Sequence, residues 1–367
     1  MRRVSSVVLH SHFCFCVGAV VFVSTFFIPA SLGQMSIPAG KTSAVLKQLP
    51  PPSFVLTDGE KPQPSKVVMG PMHSDGKGHT SGSFAVYGGS SLVQVSSLAM
   101  DAEGKLLAVG STPNRVDLWD VENRKLLRSF TGGTMVAISS DGKTLVSDGN
   151  GLEIWDVASG KLQNRINRNG DFIRQLVLDP SGALLLVSVN GEDDSVFDVR
   201  TGQKLAMLKN TQWGQFSRDA SVVIGGNSKQ LIVWDTKTWQ VIRTLPNGPD
   251  YVTRIAAYPE KNLVVVGGPK TARLVRFDSG ETVATVGEGY TNFASFNSDG
   301  TLIMTYPSSG FFIWDSSGKP LCTTTDIGNG QVALSANNKW LAAGPVGGRE
   351  VMVWDVSQVL QACGIRP

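Results

Sequence analysis

The chain repeats itself seven times, and few architectures can accommodate that. Each repeat carries alternating apolar residues, an aromatic-aspartate pair, a polar turn and a second apolar stretch. Residues 116–130 (VDLWDVENRKLLRSF) and 231–245 (LIVWDTKTWQVIRTL) are two examples. The pairs are Trp119-Asp120, Trp155-Asp156, Phe197-Asp198, Trp234-Asp235, Phe277-Asp278, Trp314-Asp315 and Trp354-Asp355, with the aromatics 36, 42, 37, 43, 37 and 40 residues apart. Before each pair lies a second element, as in 98–110 (LAMDAEGKLLAVG), where an apolar run, a tight turn and another apolar run follow one another. Asp-Gly and Ser-Gly tolerate the positive φ such turns need, and the flanking Val, Leu and Ile suit pleated strands. Each unit therefore offers four short strands. A unit of that size cannot bury its own apolar faces, so neighbours must stack.

These repeats resemble the WD40 family, over residues 83 to 367. The resemblance implies an all-β fold, a seven-bladed β-propeller with four antiparallel strands per blade. It also implies that the last blade is completed by a strand from the N-terminal side, and Phe84-Ala85-Val86-Tyr87 is the expected closing strand. Each Trp is expected to wedge between blades, burying ~150–250 Å². Phe197 and Phe277 fill that space without an indole N–H. Each following Asp is expected to hold a turn by accepting backbone N–H groups. One departure stands out. Many WD40 blades use a Gly-His pair in a buried hydrogen-bond chain, but all four histidines here, at 10, 12, 73 and 79, precede the repeats. The blades are expected to rely more on apolar packing.

The segments before the repeats differ from them. Residues 1–33 read as a secretory signal peptide: Arg2 and Arg3, an apolar run of 16 residues from Phe13 to Ile28, then Ser31-Leu32-Gly33. That run is short for a membrane span, which takes roughly 20 residues; an uncleaved anchor is the alternative. The expected location is secreted or periplasmic. Residues 34–82, with seven prolines, read as a linker without a packed core. Two cysteines follow the signal, Cys322 and Cys363. One bridge between them is possible, but their similar places in different repeats favour two isolated small hydrophobes.

The repeats contain no catalytic constellation. Without His, triads and His-based zinc sites have no ligands. Glu192-Asp193-Asp194 reads as a solvated loop rather than a calcium site. The net charge of +3, two units of which come from Arg2 and Arg3, supplies no field for nucleic acid or an anionic membrane. No cofactor or metal is expected, and a monomer is. What remains is a surface. Phe172, Trp213, Tyr251 and Tyr290 lie just before or within the first strand of four consecutive repeats, with Arg168, Arg174 and Arg254 close by. Aromatics and Arg are enriched at binding hot spots. The expected function is a non-catalytic platform for a protein partner on one propeller face. The alternative is a propeller enzyme, a quinone-dependent oxidoreductase or a hydrolase, with its site at the channel mouth.

Overall fold

The computed structural model describes residues 50, 52–56, 66–69, 73–74, 80–81, 84–87 and 94–366, apart from 169–171, 247–250, 325–329 and 346–349. The expected signal peptide lies outside the described residues.

Seven four-stranded antiparallel sheets follow one another along the chain. The first blade comprises Val95–Met100, Leu106–Ser111, Arg115–Asp120 and Lys125–Thr131. The third comprises Ile173–Leu178, Leu184–Val189, Asp194–Asp198 and Lys204–Leu208, and the fourth Gln212–Phe216, Val222–Gly226, Gln230–Asp235 and Val241–Pro246. The first strand of each blade touches the first strand of the next, and the seventh blade's Gly330–Leu334 touches Val95–Met100 of the first, so the ring is closed. Burial follows from this arrangement. Second strands, covered by neighbouring blades on both faces, are continuous apolar runs such as Val222–Gly226, in which every residue is buried. Fourth strands face solvent and carry charge, as in Lys204–Leu208, where only Leu208 is buried. Charged outer edges of this kind discourage pairing with other chains.

Five of the paired aspartates, Asp120, Asp156, Asp198, Asp235 and Asp315, hold the turns between third and fourth strands. The Asp156 carboxylate accepts the Ser159 N–H at 2.8 Å, Asp198 the Thr201 N–H at 2.6 Å and Asp235 the Thr238 N–H at 2.8 Å. Side-chain hydroxyls of the same Ser and Thr residues, with these N–H groups, hold all three carboxyls below the usual carboxylate range. Three of the paired tryptophans find hydroxyl acceptors for their indole N–H despite the missing histidines. Trp155 donates to Ser147 Oγ at 3.1 Å, Trp234 to Thr211 Oγ1 at 2.9 Å and Trp314 to Thr305 Oγ1 at 2.9 Å. The polar part of blade packing therefore persists through Ser and Thr, where the histidine count had suggested apolar contacts would replace it.

Two expectations about the ring's closure are corrected. The closing strand is Phe54–Leu56, inside the stretch read as a linker, and not Phe84–Tyr87. It pairs with Val351–Asp355, Phe54 opposite Val353 and Leu56 opposite Val351. Phe84–Tyr87 pairs instead with Lys66–Met69 in a separate two-stranded sheet. The physical reason is the alternation in Phe54-Val55-Leu56. Phe54 and Leu56 are buried, Phe54 edge-on to Trp340 at 5.5 Å, while Val55 faces outward. The nearby prolines are compatible because the strand is an outer edge, and the Pro50 carbonyl accepts the Trp354 indole N–H at 3.0 Å. Ser53 Oγ likewise accepts the Asp355 N–H at 3.0 Å.

The second correction is that Cys322 and Cys363 are joined as a disulfide. Cys363 is not on a seventh fourth strand. Asp355 caps a helix, Val356–Ala362, by accepting the Ser357 N–H, and that helix brings Cys363 back to Cys322 in the sixth blade's outer strand, Pro320–Thr324. Val356, Val359 and Leu360 pack into the same cluster as Phe311 and Ile313.

Candidate functional site

An antiparallel four-stranded blade places the turns entering its first strand and those between its second and third strands on one face of the ring. The aspartate turns lie on the other. Phe172, Tyr251 and Tyr290 therefore share the first face, immediately before or near Ile173–Leu178, Arg254–Tyr258 and Thr291–Phe296. All three protrude: Phe172 is 73% exposed, Tyr251 48% and Tyr290 39%.

Trp213 does not join them. It is 6% exposed and packs with Ile224, Val252 and Ile255 between the fourth and fifth blades. The register between Gln212–Phe216 and its partner strand shifts between Gln212 and Gln215, and Trp213 adopts φ 56° at that irregularity. A bulge of this kind re-aims a side chain, and here it turns the indole inward. Trp213 is thus a core residue that also supports the site, because two arginines approach its ring. Arg254 Cζ lies 4.4 Å and Arg174 Cζ 5.6 Å from the ring centroid.

The two arginines point toward a central channel of about 470 Å³, lined by the first strands of all seven blades. Among the described residues, its lining includes Arg174, Arg218 and Arg254 and no aspartate or glutamate. Arg218 lies toward the opposite end, where it donates to the Ser298 carbonyl and stacks over Tyr258. Arg254 donates from Nε to the Asn292 carbonyl at 2.8 Å and from Nη1 to the Thr253 carbonyl at 2.9 Å. Burial pulls its pKa down to about 10, with Tyr290 beside it acting in the other direction. It remains a cation at neutral pH. Arg174 donates to Asn190 Oδ1.

The acidic cluster divides. Glu192 is exposed, Asp193 accepts the Asn210 N–H at 2.8 Å, and Asp194 is fully buried at the start of a third strand, accepting the Gly214 N–H at 2.7 Å. Reading all three as one solvated loop is therefore corrected for Asp194. Burial raises its carboxyl to about 7, against the Gly214 hydrogen bond and the neighbouring Ser188 hydroxyl, which pull it down. No sequence pattern announced this. Asp194 lies beside two other acids in a stretch that looks like a surface turn, and only the fourth blade's bulge covers it.

No family model matches the chain. The chain is 33% identical over 98 residues to WD repeat and SOCS box-containing protein 1 of Danio rerio, covering 25% of this chain and 23% of that protein. It is 25% identical over 222 residues to the U3 small nucleolar RNA-associated protein 15 homolog of Xenopus laevis, covering 45% and 42% respectively. The chain thus spans less than half the length of the curated relatives it matches. Among solved structures, the Cps50 (Swd1) β-propeller domain of Myceliophteria thermophila superposes with a TM-score of 0.62 at 15% identity, over 71% of this chain and 97% of that one. The repeats and these likenesses together identify the fold as a WD40-repeat propeller with seven blades.

Proposed function

We propose that this WD40-repeat propeller is a non-catalytic platform that binds a protein partner through the face carrying Phe172, Tyr251 and Tyr290. The observation that carries the reading is the protrusion of these three rings on one face, each next to a first strand that lines the channel. Large aromatics left in water are uncommon on a surface with no use for them and are favoured at interface centres. We place the protein in an oxidising compartment, secreted or periplasmic. The Cys322–Cys363 disulfide supports that placement, since such bonds are rare where thiols are kept reduced. The sequence of residues 13–28 supports it from the other end of the chain.

The test is a pull-down with identification of the captured protein. The triple variant Phe172→Ala, Tyr251→Ala and Tyr290→Ala is expected to lose the partner while its melting temperature stays close to wild type. Retained capture, or a large loss of stability, sinks the reading. A chromophore or a stoichiometric metal on the purified protein would favour the enzymatic alternative instead.

A further inference from the structure

A buried guanidinium is normally offset by a carboxylate, because an unpaired charge away from water is costly. Two other arginines of this propeller, themselves partly exposed, meet buried carboxylates. Arg115 meets Asp117 at 2.9 Å and Arg165 meets Glu153 at 2.7 Å, both acids being buried. Arg254 does not. Its two hydrogen bonds go to neutral carbonyls, and among the described residues its Nη2 donates to nothing and no ion pair involves it. Desolvation without a counterion is what depresses its pKa.

The surroundings deepen the imbalance. Arg174 approaches the same indole and likewise has no carboxylate among the described residues. Among the described residues, no acid lines the channel these residues enter. Beside Arg174, the buried Gln175 Oε1 lines the channel without a hydrogen-bond donor among the described residues. The mouth thus offers guanidinium N–H groups for an anion and one acceptor for an N–H. A peptide carries both kinds of partner, a carboxylate and amides.

We infer that this mouth seats a carboxylate side chain of an acidic peptide segment on Arg254 and Arg174, beside Trp213, with neighbouring apolar side chains of that segment on Phe172, Tyr251 and Tyr290. The inference rests on the binding-face reading above and narrows it to a ligand chemistry. Guanidinium and carboxylate match as a two-pronged pair. A nucleic acid suits the mouth less well. It carries a charge at every nucleotide, and Asp148, Asp193 and Glu288 stand on turns and strand ends of this same face. One carboxylate can pass between them, whereas a polyanionic backbone would be repelled along its length.

The probe is a fluorescein-labelled twelve-residue peptide of serine and phenylalanine with one central glutamate, amidated at its C-terminus. Its comparison is the same peptide with glutamine for glutamate. Binding to the full chain is read by fluorescence anisotropy at about 0.1 M salt. The glutamate peptide is expected to bind at least about tenfold tighter, with the gap closing as salt rises. Arg254→Gln and Arg174→Gln should each weaken the glutamate peptide about tenfold, while Lys237→Gln, on the aspartate-turn face, leaves it unchanged. Urea unfolding of each variant identifies a folding defect. If Arg254→Gln is destabilised, the half-buried Arg174 decides the matter through Arg174→Gln.

Equal affinity for the two peptides overturns the inference, as does a glutamate preference that survives both arginine variants. So does free glutamate competing at the peptide's own concentration, which would mean a small-anion site, or a dodecathymidylate binding more tightly than the peptide. If both peptides bind equally and the triple aromatic variant loses both, the binding face stands and the carboxylate preference falls. If neither binds, the carboxylate preference falls, and the pull-down above judges the face separately.

Discussion

Asp194→Asn should make the protein more stable at pH 8 and hardly change it at pH 4. The Asp194 carboxyl is completely buried, with one oxygen on the Gly214 N–H at 2.7 Å and the other, Oδ1, without a hydrogen-bond partner among the described residues. Burial raises its pKa from 3.8 to about 7. In the unfolded chain the group ionises near pH 4; in the folded protein it keeps its proton until near pH 7. Stability from this group is therefore fully present below pH 4. It falls as pH rises, because the unfolded state releases a proton that the native state still holds, and the fall ends above pH 7. A gap of about three pKa units at 1.36 kcal/mol each sets a ceiling of about 4 kcal/mol. Asparagine keeps an acceptor for Gly214 and cannot ionise, so it recovers up to that amount at pH 8. For a domain of this size that is on the order of 10 °C in melting temperature. The assay is urea unfolding of both proteins, followed by tryptophan fluorescence, from pH 4 to pH 8. The turn aspartates, whose depressed pKa values remove stability only as pH falls below about 4, are common to both chains and cancel in the difference. A stability difference that stays flat across this range would refute the reasoning.

Three further outcomes follow from the packing. Replacing Cys322 and Cys363 with Ser opens a cross-link of sequence separation 41 and should cost about 4 kcal/mol by the chain-entropy account, seen as a lower denaturation midpoint that reductant reproduces in the wild type. Leu56→Asp, at a position 3% exposed against Val351, should cost several kcal/mol by burying an unpaired charge, with Val55→Asp, on the exposed side, within about 0.5 kcal/mol of wild type. Trp213→Ala should cost about 3–5 kcal/mol as a core truncation while Phe172→Ala changes stability by less than about 0.5 kcal/mol, both read by thermal unfolding.

Much of the ring was legible in the chain because its rules are local. An Asp followed three residues later by Ser or Thr closes a turn wherever it falls, so Asp156, Asp198 and Asp235 could be assigned their work from neighbours alone. The exposed positions of Phe172, Tyr251 and Tyr290 were legible for the same reason, as each sits at the foot of a first strand. Trp213 looked like their equal. Its inward turn depends on one irregular register step, and that step is set by how Gln212–Phe216 meets Val222–Gly226. That Arg254 meets no carboxylate among the described residues was illegible too, since acids abound in the sequence and only the folded channel shows which of them line it.

The amino-acid order by itself determined seven blades, their strand content and their turn chemistry, because each blade's information is written within about forty residues. The folded ring alone decided which N-terminal segment closes it, which thiols meet, which aromatic is hidden and which charges go uncompensated. Those outcomes depend on groups far apart in the chain that become neighbours only once the circle is complete, where burial and pairing are settled by geometry and not by sequence distance.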